Sequence, residues 1–179
     1  MKAILDQEAV RIAYCAAKSE ARPVLQCVKI GEGEIAAADG FILARKPIPT
    51  EPESGEVILV KAEDILKAKR EWKAKSLAIE SDSIDRAVIK DETGSCTMET
   101  ELVQGNFPDI DKFFPATDEK ARIALAKDYL ALISKIAAAD ENIVKLKIRE
   151  AAEPVEFTIG KTRGLVMPMF VSWEELCLA

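Results

Sequence analysis

The feature that most limits what this chain can fold into is a pattern that occurs three times. A short apolar strand runs into a helix, several strands follow, and the helix starts fall near residues 6, 61 and 127. A period of 55 to 66 residues points to stacked supersecondary units rather than one irregular fold. The architecture that fits is α+β, with antiparallel sheets and the helices confined to one face.

In the first repeat, Ala3-Ile4-Leu5 leads into a helix expected from Asp6 to Glu20. Asp6 suits the N-cap, and Val10, Ala13, Tyr14 and Ala17 form one apolar stripe. Strands are expected at 24–30, 34–38 and 41–46, joined by turns at Gly31–Gly33 and Asp39-Gly40. Pro47, Pro49 and Pro52, with Ser54 and Gly55, read as a linker-like break. The second repeat has a strand at 57–60, a helix at 61–75 with Ala62, Ile65, Leu66 and Trp72 on its apolar side, and strands at 77–80, 85–91 and 96–103. An irregular stretch, 104–120, precedes the third. There a strand at 122–125 enters a helix at 127–139, apolar at Tyr129, Leu130, Ile133, Ile136 and Ala137. Alternation at Val144, Leu146, Ile148 and at Val155, Phe157, Ile159 predicts half-exposed strands, with Glu156 facing out. The run Gly164–Val171 closes the repeat as a buried strand, and Pro168 places its surroundings at a strand end or sheet edge.

Composition narrows the chemistry. The chain has no histidine, and its four cysteines (Cys15, Cys27, Cys96 and Cys177) lack C-x-x-C spacing. Neither a metal site nor a Cys–His nucleophile is therefore expected, and no phosphate-cradling glycine motif occurs. No cofactor is expected, and no enzyme. With no apolar run approaching a membrane span, the expected location is the cytoplasm. A net charge of −6 argues against coating DNA by bulk charge and makes the placement of the cations decisive.

Four stretches, in order, resemble the bacterial DNA polymerase III beta subunit, the sliding clamp. They are Glu20-Ala21-Arg22-Pro23-Val24-Leu25-Gln26, Ala37-Ala38-Asp39-Gly40-Phe41-Ile42-Leu43-Ala44, Gln104-Gly105-Asn106-Phe107-Pro108-Asp109 and Val166-Met167-Pro168-Met169. The resemblance implies a DNA-clamp-like ring protein that encircles duplex DNA, tethers polymerase to template and has no catalysis of its own. It implies helices lining the central hole and sheets forming the outer wall. A clamp-like domain of two repeats is expected over 1–115 and a half domain over 116–179, so the chain holds one and a half clamp domains.

Carried over by resemblance, a hydrophobic peptide-binding pocket would comprise Leu25, Gly40, Phe41, Ile42, Leu43, Pro115, Leu165, Val166, Met167, Pro168 and Met169. Its ligands would be short linear motifs of DNA polymerase or other clamp-binding proteins. The family commonly has threonine at Ala38, polar or basic residues at Phe41 and Ile42, and a basic residue at Phe170, so this pocket is greasier. DNA-facing candidates are Arg11, Lys18, Arg22, Lys67, Lys69, Arg70, Lys73 and Lys135. The segment Lys61–Lys75 holds six basic and three acidic residues, although Glu63, Asp64 and Glu71 mix into its polar face. An odd repeat leaves a sheet edge and a helix face to be covered, which predicts a homo-oligomer, either a two-fold dimer of completed half domains or a four-chain ring. The tail 172–179 is expected to cover a sheet edge or dock into a pocket. The alternative reading is a clamp-derived peptide- or clamp-binding module that does not encircle DNA.

Overall fold

In the computed structural model, which describes residues 1–19, 21–51, 56–114, 122–136, 142–150 and 152–173, the chain divides into two units, Met1–Asp111 and Lys112–Ala179. The first unit starts with the strand Lys2–Leu5 (β1) and the helix Gln7–Ile12 (α1). The Asp6 carboxylate accepts the Ala9 N–H at 2.7 Å, so the expected N-cap is present. The helix stops well before Glu20. A 3-10 turn, Ala13–Cys15, follows it, Ala16 is extended, and the Ala17 N–H donates to the Leu25 carbonyl at 2.8 Å. A 3-10 turn has three residues per turn, which swings Tyr14 off the stripe into solvent while Val10 and Ala13 stay buried.

Three antiparallel strands follow: Cys27–Gly31 (β2), Glu34–Ala38 (β3) and Leu43–Pro47 (β4). The strand expected from Val24 starts only at Cys27, because Pro23 opens a 3-10 turn over Pro23–Gln26. The strand expected from Phe41 starts only at Leu43, because the Asp39 carboxylate holds the Phe41 and Ile42 N–H groups in a turn, at 2.7 and 2.9 Å. Part of the expected linker is ordered pairing: Thr50–Glu51 (β5) runs antiparallel to β1, and residues 52–55 lie outside the described residues.

The second repeat consists of Val57–Lys61 (β6), the helix Ala62–Trp72 (α2), Leu77–Glu80 (β7), Arg86–Asp91 (β8) and Thr97–Glu101 (β9). α2 ends three residues early at Lys73, whose left-handed φ of 50° breaks the helix. A 3-10 turn at Ile110–Phe113 lies in the stretch expected to be irregular.

The two repeats exchange their first strands. β1 pairs with β7 of the second repeat, and β6 pairs with β2 of the first, giving sheets ordered β5-β1-β7-β8-β9 and β4-β3-β2-β6. Side chains from both repeats and both helices, among them Leu5, Val10, Ile30, Ile35, Ile65 and Ile79, therefore form one core. α1 rests on β3 and β4, α2 on β2 and β8, and the helices touch each other.

The second unit contains one repeat: the helix Lys127–Lys135 (α3) and the antiparallel strands Lys145–Lys147 (β10), Val155–Ile159 (β11) and Thr162–Val166 (β12). Its core is small: Ile133, Val155, Phe157, Ile159 and Val166, with Ile123 and Leu125 against them. Phe157 lies across Gly164, where a Cβ would come within 2.3 Å of the ring. Several expectations are corrected here. Among the described residues, 122–125 form no ladder and make a single bridge, Ala124 to Met169. α3 is described only to Ile136, its Tyr129, Leu130 and Ile136 are exposed, and Ala137 lies outside the described residues. β10 is exposed on both faces rather than alternating. The closing strand ends at Val166, since Pro168 has no N–H to extend a ladder; Met167, Met169 and Phe170 beyond it are exposed, and so is Leu165 within it.

Glu156 is buried, not solvent-facing. Its carboxylate accepts hydrogen bonds from Arg163 at 2.9 and 3.0 Å, Lys147 at 3.2 Å and Arg149 at 3.4 Å. Those bonds, Arg163's first and Lys147's next, draw its pKa from 4.5 down to about 2. Stability from this cluster is thus complete above pH 4.5 and lost as pH falls toward 2. Glu156→Gln is expected to reduce the exchange protection of β11 amides at pH 7, with the deficit disappearing near pH 2. In the first unit, Gly31 has φ 150° and a Cβ there would sit 2.3 Å from the Glu56 carbonyl oxygen. Gly31→Ala is expected to destabilise by about 1–3 kcal/mol, read from the shift in the denaturant midpoint.

Candidate functional site

Arg11 is in the last turn of α1, and Lys67 and Arg70 are three apart on α2, on the side opposite buried Ile65 and Ala68. Between the helices lies a groove of about 360 Å³, with Ala13, Ala16 and Ala17 at its floor and Lys18, Lys61, Lys67 and Arg70 around it. Lys69 lies 5.2 Å from the centre of the Tyr14 ring, a cation–π contact that the expected position of Tyr14 on the apolar stripe hid. Lys73 caps α2 and is exposed, Arg22 precedes the 3-10 turn at Pro23, and Lys135 is exposed on α3 of the other unit.

Ion pairing separates the two layers of the first unit. On the sheets, Lys29 pairs with Glu32 at 2.6 Å and Glu34 at 3.4 Å, Arg45 with Asp111 at 2.5 Å, and Arg86 with Glu99 at 3.6 Å. Lys46 of β4 pairs with Asp6 at 3.4 Å and Glu8 at 3.3 Å. On the helix side, Arg11, Lys18, Lys67, Arg70 and Lys73 make no ion pair among the described residues. Of the acids on α2, Asp64 accepts from the Thr100 hydroxyl at 2.6 Å and is drawn to the sheet, while Glu63 and Glu71 stay exposed. Among the described residues, the helix layer therefore carries cations that have no acid partner. Such charge can meet phosphates without reading bases.

The residues of the expected peptide pocket fall in both units. In the first, Leu25 is buried at the end of its 3-10 turn, Gly40 takes φ 99°, and Leu43 is half-buried. Phe41 is 99% exposed with Ile42 beside it, both held up by the Asp39 turn. Hydrogen bonds from the Ile42 and Phe41 N–H groups lower the Asp39 pKa. In the second unit, Leu165, Met167 and Met169 are exposed, Pro168 is half-buried, and Val166 belongs to the core. Phe170 is 91% exposed next to them. Pro115 lies outside the described residues. Each unit thus presents a small apolar patch with a fully exposed aromatic, a feature that marks interaction surfaces. Sequence alone did not single out Lys61 as groove lining, because only the packing of α1 on α2 creates the groove.

Burial pushes the Cys27 thiol up to about 11, which removes it as a nucleophile at neutral pH.

A doubled repeat carrying two sheets and a helix layer on one face has the fold of DNA sliding clamps. Within that class it is similar to the bacterial DNA polymerase III beta chains. The crystal structure of the Bacillus subtilis sliding clamp matches with a TM-score of 0.72 and 17% identity, over 94% of this chain and 49% of that one. The beta chain from Streptococcus pneumoniae matches at 0.69 and 18%, over 97% and 51%. The Pseudomonas aeruginosa clamp bound to griselimycin matches at 0.61 and 13%, over 96% and 66%. At these identities the likeness establishes the fold alone, and the chain spans about half the length of the first two. No family model matches the sequence, and no curated protein matches it.

Proposed function

We propose that this protein works as a sliding-clamp-like processivity factor: a non-catalytic scaffold that meets duplex DNA through its helix layer and tethers a polymerase or similar partner. The observation that carries this reading is the charge separation: among the described residues, Arg11, Lys67, Arg70 and Lys73 on the helix side make no ion pair, whereas the sheet cations are paired with acids. A sliding contact must be electrostatic and indifferent to sequence, which unpaired Lys and Arg on rigid helices satisfy. Each unit would offer its own partner surface, the exposed Phe41 and Ile42 in the first and Leu165, Met167 and Met169 in the second. Methionines suit varied apolar peptides, so the ligands would be short linear motifs with aliphatic or aromatic anchors. Encircling DNA would require more than one copy, which makes the working form a homo-oligomer.

A second reading, a clamp-derived peptide- or clamp-binding module that leaves DNA free, is favoured by exposed Glu63 and Glu71 on the same helix as Lys67 and Arg70. Retention on closed circular DNA separates the two. A clamp is expected to stay on the circle and to be lost when the circle is cut; equal retention on linear and circular DNA, or none, would leave the module.

The Lys67→Glu, Arg70→Glu double variant is expected to weaken duplex binding on all sequences alike, and to reduce the slope of log affinity against log salt by about 2. Fluorescence anisotropy with two unrelated duplexes checks both. For the apolar patches, Phe41→Asp and Met167→Asp are each expected to cut affinity for a leucine- and phenylalanine-containing peptide by about tenfold or more, with duplex binding unchanged.

A further inference from the structure

All three repeats close in the same way, and among the described residues the third has no sister repeat beside it. In each, the segment after the last strand turns back onto one edge of the first strand: Thr50 opposite Ala3, Leu102 opposite Val60, and Met169 opposite Ala124. The Met169 N–H donates to the Ala124 carbonyl at 2.8 Å. In the first unit the other edge of each first strand is filled by the sister repeat, β1 on β7 and β6 on β2. In the second unit, the other edge of 122–125 and the outer edge of β10 have no ladder partner among the described residues.

The helices show the same deficit. Counted from the helix starts, the fourth residue is Val10 in α1, Ile65 in α2 and Leu130 in α3. Val10 and Ile65 are 3% and 0% exposed, whereas Leu130 is 44% exposed. The seventh residues, Ala13, Ala68 and Ile133, are buried in all three. The position that is buried in the doubled repeat is thus open in the third. Tyr129 and Ile136 of the same helix region and Leu146 of β10 are exposed as well.

We propose that this open surface docks the same surface of a second copy of the chain across a two-fold axis, with α3 against α3 and each β10 edge paired with the other copy's 122–125 segment. The first unit is the template, since its two repeats solve the same problem by exchanging first strands. The fit is reciprocal: a single repeat offers one free first-strand edge and one free β10 edge, so one identical partner fills both. An unpaired edge beside exposed Leu, Ile and Tyr is a liability until it is covered. This contact uses neither the cations of the first unit nor Phe41, so it stands or falls apart from the proposed DNA and peptide sites.

The test is the solution mass of the full chain by light scattering, from low to high micromolar concentration, for the wild type, Leu130→Glu and Leu130→Met. The expected result is a wild-type dimer, a dimer for Leu130→Met, and a dissociation constant raised at least about a hundredfold for Leu130→Glu, because two carboxylates would be buried face to face. A wild-type monomer throughout, or a dimer insensitive to Leu130→Glu, would overturn the proposal. Hydrogen exchange on the wild type gives a reading that needs no variant. Amides of 122–125 and β10 are expected to gain protection as the dimer forms, and a dimer that leaves both segments as exposed as in dilute solution would overturn it too.

Discussion

The exchange of first strands between β1–β7 and β6–β2 is the contact on which the first unit depends. A repeat of this length gives one helix and four strands, too little to bury both a helix stripe and a sheet edge. Lending the first strand to the sister's sheet fills the sheet edge, draws the helices together and joins two small cores into one. The chain connecting the repeats then contributes β5 to β1's other edge, so even a proline-rich stretch finds pairing. Hydrogen-bond saturation at strand edges and burial of apolar area are satisfied by the same move.

The exchange also fixes where charge lies. With both helices on one side, their outward faces form one layer, and three of the nearby acids are occupied elsewhere, although Glu63 and Glu71 stay exposed on it. Asp6 and Glu8 pair with Lys46, and Asp64 is held by Thr100. An acidic protein can in this way present a positive face. Net charge governs solubility and long-range field, but phosphate contact depends on which cations lack partners. The second unit handles its charge differently: Lys147, Arg149 and Arg163 converge on one buried carboxylate, Glu156, and stiffen the outer face of a small sheet.

The likeness to the B. subtilis and S. pneumoniae clamps at 17% and 18% identity shows how little of the fold resides in particular residues. Within this chain, Phe41 and Ile42 project from a turn whose Asp39 and Gly40 do the structural work. Fold and recognition thus vary independently, since a turn tolerates any side chain that points into solvent.

The sequence by itself determined the repeat, the order of elements and most of the core. Asp6 capping, the turn at Gly31–Gly33 and the stripe through Ile65 are local, and local rules decide them. The cations of α2 were legible for the same reason. It did not determine where helices stop, because the early end of α1 comes from the Leu25 carbonyl taking the Ala17 N–H, a contact between segments. Nor did it show that Tyr14 lies beside Lys69 or that Glu156 is buried beneath three cations, since alternation predicts outward charge and only cross-strand neighbours can draw it in. Tertiary structure alone decided which cations are left unpaired and which strand edges are filled. Both depend on the exchange between repeats, and an edge or a charge has no partner until the chain brings one to it.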